Sequence, residues 1–188
     1  MESMRKRFVI ARLLLLAALA GPACMLAATT TTAAPAAPEV AIGQPLRAAQ
    51  LDGLNGPSRP LSSYLGRPLL INVWASWCGP CRAETASLER LAWMDPARSY
   101  AIIGISTDDD AAAARAWLAA SNATISHYID HGLQLENMLG ASHLPLTVLV
   151  DARGRVLERV YGAQEWDSGQ ALALVRTKLA GGGHATKE

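Results

Sequence analysis

The chain has 188 residues, room for one ordinary domain plus a targeting segment or tail. A composition of 51% hydrophobic and 18% charged residues supports a real core and excludes an intrinsically disordered chain. With 17 basic against 16 acidic residues the formal net charge is +1. That balance argues against a nucleic-acid partner, which wants a basic face to displace phosphate counterions.

The chain opens on Arg5, Lys6 and Arg7 and continues as a nearly apolar run interrupted by Arg12. Its longest uninterrupted part, Leu13 to Ala28, is about sixteen residues, short of the ~20 that span a bilayer comfortably. A basic start, a short apolar stretch and small residues after it read as a secretory signal, with cleavage after Ala20 or Ala28. The alternative is an uncleaved membrane anchor. Cys24 offers lipidation as a third form of attachment, although Gly21-Pro22-Ala23 departs from the usual leucine-containing lipoprotein signal. In each case the folded part is exported, and its cysteines meet an oxidising compartment.

Residues 29–39, rich in Thr, Ala and Pro, cannot bury a face and read as a flexible spacer between segment 1–28 and one domain over 40–188. In that domain, turn residues at Asp52-Gly53 and Asn55-Gly56-Pro57 lie between Arg47–Leu51 and Arg59–Leu61, which predicts an N-terminal hairpin. Leu69–Ala75 is an unbroken apolar run with branched residues, as expected of a strand buried on both faces. A helix is expected from Cys81 to Met94, stopping before Pro96. Ala101–Ser106 reads as a second buried strand. Asp108-Asp109-Asp110 places acid at the positive end of a helix beginning at Ala111. Leu146–Asp151 and the segment from Arg155 to Tyr161 flank the turn Ala152-Arg153-Gly154 as two more strands. An amphipathic helix with Lys178 near its negative end and Gly181 past it closes the chain. Alternating strands and helices point to an α/β sandwich with a central mixed sheet.

Between the first buried strand and its helix stands Trp77-Cys78-Gly79-Pro80-Cys81. Two cysteines so close can hold half a metal site, form a permanent staple or transfer electrons. Zinc needs four ligands, and the sequence holds no second pair of this kind. His127 and His131 have zinc-like spacing but begin about 45 residues beyond Cys81, and they read as exposed strand or loop residues. A staple across so short a loop constrains little of the unfolded chain. Electron transfer is left as the favoured reading. At the start of a helix, Cys78 has unpaired backbone N–H groups and the positive dipole end to stabilise its thiolate, which makes it the attacking sulfur. Cys81, one turn on, would resolve the mixed disulfide. Pro80 needs no N–H at that position.

The pentapeptide after a strand, together with His143-Leu144-Pro145-Leu146 far downstream, resembles the thioredoxin fold. Gly66-Arg67-Pro68, Arg82-Ala83-Glu84 and the extra segment from Asp108 to Gly140 resemble more narrowly the membrane-linked TlpA/ResA group of thiol–disulfide oxidoreductases. The resemblance implies a thioredoxin-like three-layer sandwich with an N-terminal hairpin and a central insertion. It implies a cis Leu144–Pro145 bond facing the dithiol, where residue 144 offers its backbone to substrate, with Trp77, Gly79 and Pro80 as further substrate contacts. Glu84 matches an acid typical of the group, and it stands as a proton partner or as an ordinary exposed helix acid. Asn72 occupies the strand position where thioredoxin has its proton-accepting acid. Ala86 stands where a proline is frequent, and the residues around Pro145 depart from the pattern of the cytochrome-maturation subgroup. Trp74 reads equally as core or site residue, and His143 as a surface loop residue.

Gly79-Pro80 is the dipeptide of thioredoxin, a low-potential donor near −270 mV. The expected protein is a reductant of disulfides in exported proteins, in cytochrome c or metal-site assembly, recharged by a transmembrane electron donor. It is expected to be a monomer, with no cofactor beyond its own Cys78–Cys81 disulfide and no metal. The rival readings are a thiol oxidase or isomerase, and a copper chaperone built on the same fold.

Overall fold

The computed structural model describes residues 38–181 except 96 and 98, so segment 1–28 with its signal, anchor or lipid at Cys24, and most of the spacer, lie outside the described residues. Among the described residues seven strands form one sheet: β1 Gln50–Gly53, β2 Arg59–Pro60, β3 Leu69–Trp74, β4 Ala101–Ser106, β5 Ser126–Ile129, β6 Leu146–Val150 and β7 Val156–Tyr161. Their order is β2-β1-β5-β4-β3-β6-β7. β3, β4 and β5 run parallel; β6 is antiparallel to β3, β7 to β6, and β1 to both β2 and β5. The expected hairpin is present, with Leu51 opposite Arg59.

β3 lies inside the sheet between β4 and β6, and all six of its residues are buried. Strand periodicity sends Leu69, Ile71 and Val73 to one face and Leu70, Asn72 and Trp74 to the other. The first face packs with Ile103, Ile105, Val148 and α3, Gln134–Leu139. The second packs against α1, Gly79–Trp93, and α4, Gly169–Gly181, through Leu88, Leu91, Val175 and Leu179. Beside them α2, Ala111–Ala120, adds Ala114 and Leu118 to a cluster containing Trp74 and both cysteines. Helices on both faces of a mixed sheet make the three-layer sandwich that the resemblance implies.

In α1, Cys81, Glu84, Leu88 and Leu91 recur at helical spacing and form the buried stripe. The helix begins at Gly79, two residues before its expected start, because Cys78 is its N-cap and Pro80 sits in its first turn.

Several expectations change at the insertion and the ends. β5 and α3 have no periodic signal and lie inside the segment from Asp108 to Gly140. His127, expected exposed, is a buried β5 residue only 4% accessible, because its ring lies over Gly104, which has no Cβ to exclude it, and against Trp74. Of the three aspartates before α2, only Asp110 caps the helix, accepting from the Ala112 N–H at 2.8 Å, whereas Asp108 turns inward and is buried. Glu39, the last residue of the expected spacer, makes contacts with the folded residues. It ion-pairs with Arg159 at 3.0 Å and lies against Gly140, whose φ of 79° and lack of a Cβ admit the carboxylate. Gly181 is the last residue of α4 rather than a residue past it.

Candidate active site

Cys78 and Cys81 form a disulfide at the N-terminus of α1. The Cys78 Sγ accepts the Cys81 backbone N–H at 3.2 Å, which makes the sulfur itself the helix cap. A thiolate at that atom would meet the same N–H and the positive end of the helix dipole. Cys78 is the more accessible of the two, at 6% against 2% for Cys81. The neighbouring Trp77 is 71% accessible, so the loop presents an aromatic ring to solvent beside a nearly sealed sulfur pair.

The Leu144–Pro145 bond is cis. Leu144 packs against the cluster holding both cysteines, and the Pro145 carbonyl accepts the Gly162 N–H at 2.9 Å. The structure therefore gathers Cys78, Cys81, Leu144 and Pro145 at one end of the sheet, with Gly79 and Pro80 in the turn between the sulfurs. His143 is exposed, as expected, and stacks on Tyr161 with ring centroids 4.5 Å apart.

Glu84 is not an exposed helix acid: it is 2% accessible and stands one turn beyond Cys81 on the same buried face. Its Oε1 accepts from Asn72 Nδ2 at 2.7 Å, and its Oε2 accepts from the Gln164 N–H at 3.0 Å and from Trp166 Nε1 at 3.2 Å. Asn72 Nδ2 donates also to Thr147 Oγ1, two residues beyond the cis-proline, at 3.0 Å. Burial pushes the Glu84 carboxyl above its ordinary value, while the donors from Gln164, Asn72 and Trp166 pull the other way. Asn72 thus holds Glu84 through its side-chain amide. An amide within an apolar strand is the sequence signal for such a partner. Trp166, 82 positions from Glu84, carries no local signal.

Two further buried groups escape sequence reading. Asp108 accepts from the Ser76 N–H at 2.9 Å and from the hydroxyls of Ser76 and Ser106, each at 2.7 Å. His127 stands edge-on to Trp74, with centroids 5.4 Å apart, and neither its ring nitrogens nor Trp74 Nε1 has a hydrogen-bond partner among the described residues. Burial pushes the imidazole down to about 4, so it is neutral at ordinary pH. Trp74, at 3% accessible, belongs to the core beneath the dithiol. Among the described residues no group of three or more His, Cys, Asp or Glu side chains could hold a metal ion.

A cysteine pair capping a helix after a central strand, with a cis-proline beside it, defines a thioredoxin-like dithiol site. The redoxin family model matches residues 37–174, and the chain belongs to that family. It is 35% identical over 128 residues to the thiol:disulfide interchange protein DsbE of Pseudomonas aeruginosa, a match covering 66% of this chain and 69% of that protein. Against the thiol-disulfide oxidoreductase ResA of Geobacillus thermodenitrificans the identity is 26% over 123 residues, covering 65% of this chain and 71% of ResA. A Chlorobium tepidum structure described as a thiol:disulfide interchange protein DsbE superposes with a TM-score of 0.66 at 24% identity, covering 73% of this chain and 99% of that one. These relatives support the TlpA/ResA resemblance, and the activity is that of a thiol–disulfide oxidoreductase.

Proposed function

We propose that the protein is an exported reductant of disulfides in extracytoplasmic proteins, acting through Cys78 and Cys81. The observation that carries this reading is the Gly79-Pro80 dithiol capped into α1, with Cys78 the more accessible sulfur. The Cys78 thiolate attacks a substrate disulfide, forming a mixed disulfide and expelling one substrate thiolate. The Cys81 thiolate then attacks Cys78 Sγ, closing the Cys78–Cys81 disulfide and releasing the second substrate thiolate. Two electrons pass to the substrate. Glu84, a buried acid one turn from Cys81 with its proton affinity raised, exchanges the proton that Cys81 loses or gains. Trp77 and the backbone of Leu144 and Pro145 contact the substrate chain, so short strand-like pairing gives affinity without sequence demands.

A donor of this kind in an oxidising compartment must be recharged, and a transmembrane carrier supplies the electrons. Substrates include apocytochromes c and metal-site assembly factors. The N-terminal segment directs export and tethers a monomeric domain to the membrane.

Insulin reduction by the wild type beside Cys78→Ser tests the activity. The variant is expected to lose essentially all catalysed reduction; a variant as active as the wild type would contradict the assigned nucleophile.

A further inference from the structure

Asp108 is a buried carboxylate for which the exchange chemistry has no use. It is 3% accessible and makes no ion pair among the described residues. Its donors are the hydroxyl of Ser106 at the end of β4 and both the hydroxyl and the backbone N–H of Ser76. A second contact closes the loop, because the Asp108 N–H donates to Ser106 Oγ at 3.1 Å. A carboxylate that accepts several such bonds can stay buried without a cation. Ser76 lies two residues before Cys78, a span of at most ~7 Å along the chain. The contact therefore clamps the segment carrying Trp77 and Cys78 to the end of the neighbouring strand, and it fixes a negative charge behind that segment.

Other charged or titratable groups lie on the elements packed around the dithiol. Glu84 approaches from α1 and is held by Asn72, Gln164 and Trp166. Arg82 is exposed and lies over the Trp117 ring of α2 at 4.3 Å. From β5, His127 is neutral behind Trp74. His143 is stacked on Tyr161, Asp109 is exposed, and Asp110 is exposed and engaged in capping α2.

We propose that Asp108 is a positioning residue that anchors the Trp77–Cys78 loop and, by its fixed charge, makes the Cys78 thiolate less favourable, biasing the couple toward the disulfide and strengthening the dithiol as an electron donor. The inference rests on the reductant reading and deepens it. An anion near a thiolate raises the thiol pKa and destabilises the reduced form, which lowers the potential.

The test measures the Cys78 thiol pKa, from alkylation rate against pH, and the exchange equilibrium with glutathione in wild type, Asp108→Asn and Ser76→Ala. Asp108→Asn keeps the shape and removes the charge. It is expected to lower the thiol pKa by about half a unit or more and to move the equilibrium about threefold toward the dithiol. Ser76→Ala removes one hydroxyl and leaves the charge, so its thiol pKa should equal or exceed that of the wild type. A purely structural clamp would move both variants alike, and that result, or an unmoved Asp108→Asn, overturns the proposal. Should Asp108→Asn not fold, the carboxyl carbon resonance of Asp108 in the reduced wild type decides, because coupling is reciprocal. It should shift through the Cys78 titration, and a resonance flat across it overturns the proposal. The wild-type equilibrium alone tests the reductant reading, and the difference between proteins tests Asp108, so the two fail separately.

Discussion

Glu84 and His127 are both ionisable, both nearly sealed from solvent, and reach the same row of the sheet, yet their surroundings are opposite. Asn72, Gly104 and His127 stand abreast on β3, β4 and β5, and Glu84 joins the row from α1 through the Asn72 amide. Around Glu84 three donors converge on the carboxylate. Around His127 the two ring nitrogens and the nearby indole N–H have no hydrogen-bond partner among the described residues. A buried acid with donors keeps a proton affinity that chemistry can use. A buried base without them is held neutral and serves packing.

The packing side of that contrast is the easiest to break. A Cβ placed on Gly104 would lie 2.1 Å from His127 Nδ1 and 2.9 Å from Trp74 Nε1. Gly104→Ala is therefore expected to destabilise the fold by about 3 kcal/mol or more, read from the urea midpoint. The same change in a His127→Ala background should cost much less, because the obstructing ring is gone.

The pH dependence of stability sharpens the contrast next. The folded His127 is pushed down to about 4 from an ordinary 6.5, so its contribution is complete above about 6.5 and is lost as pH falls toward 4. Over that window wild type should lose roughly 3 kcal/mol at most that His127→Leu does not. Glu84 has the other sign: its folded proton affinity is raised above the ordinary 4.5, so its contribution is present below 4.5 and is lost as pH rises through the folded value. Wild type relative to Glu84→Gln should thus weaken on going from pH 4.5 upward. This slope should be the smallest of these effects, since three donors oppose burial. Urea unfolding across pH reads both slopes, and two slopes of one sign would undo the contrast.

What the sequence revealed follows from how local the cause is. β3, β4 and β6 are legible because a strand buried on both faces needs an unbroken apolar run, and Leu69–Trp74, Ala101–Ser106 and Leu146–Val150 each have one. The dithiol and its helix are legible because cap, proline and sulfurs fall within five residues. β5 is hidden because His127 interrupts its apolar pattern, and the ring is admitted only by Gly104, a residue on another strand. The burial of Glu84 is hidden for a similar reason, since its donors come from Asn72, Gln164 and Trp166, on three separate segments. Asp108 reads locally as one of three helix-capping acids, and only the fold turns it inward toward Ser76.

The reduction potential of the Cys78–Cys81 couple, measured by equilibration with glutathione or dithiothreitol buffers, tests the central claim most directly. A reductant should give a value below about −200 mV, in the range of thioredoxin; a value above about −150 mV, toward the strongly oxidising DsbA-type proteins, would contradict it.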